Sequence, residues 1–325
     1  MKPNILVTRE VFDETLEFLA AHCEVDSNQE DCALDPEGLA RRLADKDGVM
    51  CALTDRIDEK LLTRCPKLKA VANIAVGYNN IDLAACTARG ILATNTPGVL
   101  NDSTADLAFA LMLGAARRLA ELERRVRAGE WTGWRLKQWL GVDVHHATLG
   151  IIGMGRIGEA IARRAAGFEM KVLYHNRTRV APEVEKGLNA TRVTKDELLR
   201  QSDFVVLQVP YSPETHHMIG ARELALMKPT AILVNSTRGG VVDDAALIAA
   251  LRSGGIRAAG LDVYENEPRL NPEFLRLDNV VLMPHVGSST EATRRAMAMT
   301  AARNLVAALT GGRPPNLLNP EAKRA

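Results

Sequence analysis

The sequence predicts an α/β protein built on parallel sheets, and three observations carry that prediction. Short β-branched runs alternate with amphipathic helical stretches, the pattern of strand–helix–strand units. A glycine-rich turn, Gly153-Met-Gly-Arg-Ile-Gly158, stands between an apolar strand and a helix. Arg238, Glu267 and His285 each follow one of three successive strand-like runs, which a parallel sheet brings to a common edge.

The strand candidates of the first hundred residues are Asn4–Thr8, Gly48–Leu53, Leu68–Ile74 and Ile91–Asn95. Helical spacing lies between them, as in Val11–Ala21 and Ile81–Arg89. A long helix is expected from Asn101, with Ser103 or Asp102 as cap and Asp106 facing the free amides. Its apolar stripe runs through Leu107, Leu111, Ala115, Leu119, Leu122 and Val126, long enough to bridge domains or subunits. The later strands are Thr148–Ile152, Lys171–Tyr174, Phe204–Val209, Ala231–Asn235, Ala258–Val263 and Val280–Met283. A terminal helix over Ser289–Leu309 is expected to fold back on the first domain, making that domain discontinuous.

The 325 residues suffice for two domains, and 46% hydrophobic with 25% charged residues is an ordinary globular balance. A formal charge of +1, from 41 basic and 40 acidic residues, argues against nucleic acid as main partner. The N-terminal apolar stretch is too short for a signal peptide, and no run is long enough to span a bilayer. Five cysteines without CxxC spacing read as free thiols, so a cytoplasmic protein is expected.

In the glycine turn each glycine has a task. Gly153 permits a tight turn, Gly155 lets backbone amides near a pyrophosphate, and Gly158 lets helix pack close to strand. The helix N-terminus opening over Arg156 and Ile157 then faces the phosphate charge. This predicts a Rossmann-type doubly wound sheet holding a dinucleotide. NAD-binding versions usually place a carboxylate at the end of the next strand. Here that strand ends His175-Asn176-Arg177-Thr178 with no acid. A guanidinium and polar groups suit a 2′-phosphate, so NADP(H) is the expected cofactor and NAD(H) the alternative.

Arginine, carboxylate and histidine together suit carbonyl reduction. Hydride arriving at C2 leaves negative charge on the oxygen, which an imidazolium can protonate. A neighbouring carboxylate favours that charged ring and fixes it. Arg238 can bind a substrate carboxylate and polarise the ketone.

The segments Val-Gly-Tyr-Asn-Asn-Ile-Asp (76–82), Gly153–Gly158, Asn235–Gly239, Leu261–Pro268 and Met283–Gly287 resemble the D-isomer-specific 2-hydroxyacid dehydrogenase family. With Trp139–His146, they look most like its glyoxylate/hydroxypyruvate (2-ketogluconate) reductase branch. The resemblance implies Arg238 as substrate-orienting residue, Glu267 as histidine partner and His285 as proton donor, with Glu265 not the matching acid. It implies that amides at Val76 and Gly77 hold the substrate carboxylate. Asp262 would lie near the nicotinamide carboxamide, and Thr104, Val209, Pro210 and Thr215 would line the cofactor groove. The turn's Met154 and the strand-end Ser236 and Thr237 join that cofactor set, and Leu53 joins Val76 around the substrate. Trp139 would reach a partner subunit's site in a homodimer whose interface contains the helix at 101–128. A smaller flavodoxin-like α/β substrate domain (1–100 with 288–325) and a dinucleotide domain (101–287) complete the implied plan.

Taken singly, each catalytic candidate reads as a surface arginine or a loop histidine; their joint placement changes that. His145-His146 and His216-His217 read as loop residues, since neighbours chelate one ion poorly, and no metal is expected. Trp131 and Trp134 read as packing. Two rivals share the fold: a dinucleotide-sensing corepressor-like protein, and a phosphoglycerate dehydrogenase-type enzyme. Lack of a long extension speaks against the first, and lack of a regulatory domain against the second.

Overall fold

The computed structural model describes residues 1–322. The chain divides into two compact units, Met1–Leu100 with Ser289–Ala325, and Asn101–Ser288.

The first unit holds β1 (Asn4–Val7), β2 (Glu24–Ser27), β3 (Gly48–Cys51), β4 (Ala70–Asn73) and β5 (Leu92–Thr94). They form one sheet in the order β2-β1-β3-β4-β5, parallel at every pairing. This is the flavodoxin-type order. Its inner strands β3 and β4 are short runs buried along their whole length, as expected where helices cover both sides. The C-terminal helix Glu291–Leu309 returns to this sheet and buries Ala301, Ala302 and Leu305 with Ile5, Val7 and Met50. Thr290 caps it by accepting from the Thr293 amide.

The second unit holds β6 (Thr148–Ile152), β7 (Lys171–His175), β8 (Ala190–Arg192), β9 (Phe204–Leu207), β10 (Ile232–Asn235), β11 (Ala258–Leu261) and β12 (Val280–Leu282). Their order is β12-β11-β10-β9-β6-β7-β8, again wholly parallel. That is the doubly wound dinucleotide-binding order extended by one strand. The order reverses between β6 and β9, and a ligand crevice is expected outside the strand ends there.

Two expectations need correction. The helix at Asn101 is not continuous to residue 128. It runs Asn101–Ala116, breaks at Arg118 in the left-handed region (φ 59°), and resumes over Leu119–Arg127. The cause is tertiary. The Ala116 carbonyl, which would continue the ladder, accepts instead from the Val142 amide of the returning chain. Beyond the break Leu119 and Val126 are exposed rather than buried in this chain. Nor do Asp102 and Ser103 cap, because both already lie inside the first turn; Asp102 pairs with Arg164 across to the helix Arg156–Ala165.

Candidate active site

The glycine turn follows β6 at the point where the sheet order reverses. Gly153 adopts φ +105°, and a Cβ there would stand 2.3 Å from the Gln208 carbonyl oxygen. A Cβ at Gly158 would stand 2.4 Å from the Gly153 oxygen, so the helix can sit this close to the turn only with glycine. Gly155 differs. Its backbone is extended (φ −98°, ψ −165°), and a Cβ there would meet nothing within 4 Å. Open space thus lies in front of the N-terminus of the helix Arg156–Ala165. The first-turn amides of Arg156, Ile157 and Gly158 have no intrahelical acceptor and offer partial positive charge to an anion. A dinucleotide pyrophosphate fits this cradle. Met154 contributes backbone only, since its side chain is buried.

After β7 the side chain of Asn176 turns back on that cradle. Its Oδ1 accepts from the Met154 amide at 2.6 Å and its Nδ2 donates to the Met154 carbonyl at 3.1 Å. Asn176 is therefore a brace of the turn, unlike the free polar group the sequence suggested. Arg177 and Thr178 are exposed. Arg192 donates to the carbonyls of Asn176 (3.2 Å) and Arg177 (3.3 Å), fixing the bend. Glu185, in the helix that follows, is taken by Arg179 and by the Tyr174 hydroxyl. Arg179, with the Tyr174 hydroxyl second, holds its carboxyl down at about 2.

Beyond β9 come Val209 and Pro210, followed by a turn in which Thr215 Oγ1 donates to the Pro210 carbonyl (2.7 Å) and accepts from the Ser212 amide (2.8 Å). Gln208 Nε2 donates to Ser236 Oγ at 2.9 Å, joining the ends of β9 and β10. Sequence reasoning passed over Gln208, whose polar head directly after an apolar strand was the available signal.

Arg238 leaves β10 through a knot of local bonds. Asn235 Oδ1 accepts from the Thr237 amide, and its Nδ2 donates to the Arg238 carbonyl. Arg238 Nη1 donates to the Thr237 carbonyl at 2.7 Å. Burial pulls the guanidinium below its ordinary value while the Glu267 charge pulls it back up. A cation so desolvated favours an anionic ligand. The tight approach of this loop to the next requires Gly239, where a Cβ would overlap the Tyr264 carbonyl.

After β11, buried Asp262 accepts from the amides of Val286 (2.7 Å) and Gly287 (2.9 Å). Its backbone carbonyl accepts from the His285 amide at 2.9 Å. Burial raises its carboxyl above the ordinary value against those bonds. Asp262 thus shapes the loop carrying His285. Thr104 lies beside Gly287 in the same place. Tyr264 pins the loop from the other side, donating its hydroxyl to the Met283 carbonyl at 2.8 Å.

Glu267 and His285 meet directly. His285 Nδ1 and Glu267 Oε2 are 2.7 Å apart, and Glu267 Oε1 accepts from the Tyr264 amide at 2.8 Å. Burial raises the Glu267 carboxyl, but the bond and charge of His285 outweigh it and hold the group below its ordinary value. With Nδ1 engaged, Nε2 is the nitrogen left to serve a ligand. Arg238, Glu267 and His285 therefore occupy the carboxyl ends of β10, β11 and β12 in the unit that holds the glycine turn.

The remaining expected residues lie elsewhere. Leu53, Val76 and Gly77 are half-buried in loops of the first unit, after β3 and β4. The carbonyls of Val76 and Gly77 accept from Asn95 Nδ2 and Asn73 Nδ2, while neither residue's amide donates to a described residue. Trp139 is half-buried in the segment between Arg127 and β6, at φ 56°. Among the described residues, no three of His, Cys, Asp and Glu gather to hold a metal, and no helix is long and apolar enough to cross a membrane. His217 pairs instead with Glu265 at 2.6 Å.

Residues 109–287 match the family model described as D-isomer specific 2-hydroxyacid dehydrogenase, NAD binding domain. The chain is 50% identical to the glyoxylate reductase of Thermococcus onnurineus, over 99% of this chain and 97% of that protein. It superposes on a glyoxylate reductase from Paecilomyes thermophila with a TM-score of 0.89 and 35% identity, covering 99% of both chains. The NADPH-dependent glyoxylate/hydroxypyruvate reductase of Sinorhizobium meliloti, solved with NADP and malonate, gives a TM-score of 0.86 at 34% identity, covering 100% of this chain and 99% of that one.

Proposed function

Since the chain belongs to the D-isomer-specific 2-hydroxyacid dehydrogenase family and is an NAD(P)-dependent enzyme of 2-keto acid reduction, we propose that it reduces glyoxylate and hydroxypyruvate with NADPH, His285 giving the proton. 2-Ketogluconate is a further candidate substrate. When bound, a dihydronicotinamide would supply the hydride for C2 of the keto acid. Arg238 pairs with the substrate carboxylate and draws electron density from the ketone, holding C2 for attack. As C2 gains the hydride, its oxygen takes up charge and receives the proton from His285 Nε2. Glu267 keeps Nδ1 protonated and the ring in place. His285 then regains a proton from water, which its one-third exposed side chain can reach. The reading rests above all on the 2.7 Å contact of His285 with Glu267 beside Arg238.

NADPH is preferred because Arg177 and Thr178 stand exposed after β7 while Glu185 is neutralised by Arg179. The backbone amides at Val76 and Gly77 are the proposed second anchor of the substrate carboxylate. The enzyme is proposed to be a homodimer: Leu119, Val126, Trp131, Trp134, Leu136 and Leu140 are all exposed on the broken helix and the segment after it. Trp139, in the same segment, is proposed to reach the other subunit's site.

The test is a spectrophotometric assay of cofactor oxidation with NADPH and NADH against glyoxylate, hydroxypyruvate, 2-ketogluconate and pyruvate. Turnover of the first two with NADPH, at about tenfold or more higher kcat/KM than with NADH, is expected. Equal or better use of NADH would refute the cofactor reading, and no turnover of glyoxylate or hydroxypyruvate would refute the substrate reading.

A further inference from the structure

Three consecutive peptide planes in the loop after β4 are each held through their carbonyl oxygen. The Ala75 carbonyl accepts from the Thr96 amide at 2.9 Å. The Val76 carbonyl accepts from Asn95 Nδ2 at 2.8 Å, and the Gly77 carbonyl from Asn73 Nδ2 at 2.9 Å. In a trans peptide the N–H points opposite to the C=O. Holding each oxygen therefore fixes the direction of the amide that shares its plane, at Val76, Gly77 and Tyr78, and none of the three donates to a described residue. Successive loop amides without a protein acceptor are the groups from which an anion site is built.

Two of the three locks are side chains, and both are buried: Asn73 is fully enclosed and Asn95 is 7% exposed. Asn73 is itself held. Its Oδ1 accepts from Cys51 Sγ at 3.6 Å and lies 3.3 Å from Asn80 Nδ2, which also donates to the carbonyls of Ala52 and Asp55 at 3.1 Å each. Those two carbonyls bracket Leu53. One amide cluster thus sets the loop after β4 and the loop after β3 together. A buried side-chain amide is expensive to enclose unless its donors are used, and here they are used to aim backbone.

We propose that Asn73 and Asn95 are positioning residues for substrate: they preset the amides of residues 76–78 to receive the keto acid carboxylate, and Asn73 with Asn80 couples that grip to the Leu53 loop. This rests on the reading that the Val76 and Gly77 amides bind the carboxylate. Asn73→Asp and Asn95→Asp keep shape but replace the donor with an acceptor facing a carbonyl, which drives the peptide to turn.

The experiment measures kcat and KM for glyoxylate, Ki for oxalate, and Kd for NADPH by fluorescence titration, in Asn73→Asp, Asn95→Asp and Gly77→Pro, the last deleting one amide outright. The expected result is KM and Ki raised about tenfold in all three, kcat changed by less than about threefold, and NADPH affinity retained. If Gly77→Pro raises KM and Ki while both asparagine variants keep wild-type values, the positioning role is overturned and the carboxylate reading stands. Should all three keep wild-type values, the carboxylate reading falls and takes the proposal with it. Loss of NADPH affinity in step with KM would mark the asparagines as general scaffolding and overturn the proposal. If Asn73→Asp does not fold, Asn95→Asp carries the same test through the neighbouring carbonyl.

Discussion

Replacing Glu267 with glutamine removes one charge and almost no volume, so its effect can be worked from the contacts. The carboxylate has two engaged oxygens, one on His285 Nδ1 at 2.7 Å and one on the Tyr264 amide at 2.8 Å. Glutamine has one oxygen. If that oxygen stays with Tyr264, the NH2 faces Nδ1 and the ring must remain neutral to accept from it. If the amide flips, the Tyr264 N–H meets another donor. Either way one hydrogen bond to a charged group is lost, worth about 1.5–3 kcal/mol. At about 1.4 kcal/mol per tenfold, kcat for keto acid reduction should fall about ten- to a hundredfold. KM for glyoxylate and Kd for NADPH should stay within about threefold, because Arg238 keeps its charge and its local bonds and the glycine turn is untouched. The pH dependence has a definite sign. The Glu267 carboxyl is held below its ordinary 4.5, so the wild-type advantage is complete above that value and disappears only as pH falls through the depressed one. Steady-state kinetics across pH read this directly. A variant within about twofold of wild type at neutral pH would refute the argument.

Other outcomes follow from the same structure. Arg177→Asp puts an acid at the end of β7, where a 2′-phosphate is expected, and should move the NADPH-to-NADH ratio of kcat/KM towards NADH by about tenfold or more; an unchanged ratio would place the discrimination elsewhere. Gly155→Ala and Gly158→Ala should separate binding from stability. The first adds a Cβ that meets no protein atom, so Tm should hold while NADPH Kd rises; the second forces a 2.4 Å contact and should cost about 1–3 kcal/mol in thermal or denaturant unfolding. Asp244 is buried, and burial raises its carboxyl from 3.8 to about 6. The folded chain keeps a proton there that the unfolded chain releases, so stability drains away as pH rises through that window, by about 3 kcal/mol for this group. Asp244→Asn should therefore gain Tm relative to wild type above the window and not below it; an equal difference on both sides would refute the assignment.

How far the sequence alone could be read depends on where each signal lives. The inner strands, such as Phe204–Leu207 and Ile232–Asn235, are buried on both faces, so their apolar runs stand out. The edge strands Glu24–Ser27 and Ala190–Arg192 were missed because each pairs on one side only and carries polar, partly exposed residues. The break at Arg118 was equally hidden, since it depends on the Val142 amide taking the Ala116 carbonyl from a distance in sequence. Arg238, Glu267 and His285 were legible through topology: parallel strands deliver their C-terminal residues to one edge. Asn73, Asn80 and Asn95 were not, because an asparagine at a strand end looks like a turn former until its amide is seen on a particular carbonyl. Asn176 shows the converse, a residue placed correctly after β7 whose side chain is spent on the Met154 backbone.

The central claim is that His285, held by Glu267, delivers the proton while hydride reaches C2. It is tested most directly by comparing His285→Gln with wild type in glyoxylate reduction under saturating NADPH, with cofactor affinity measured by fluorescence titration on the same samples. The account predicts kcat reduced by about a hundredfold to ten-thousandfold with NADPH Kd nearly unchanged. Turnover close to wild type in that variant would contradict it.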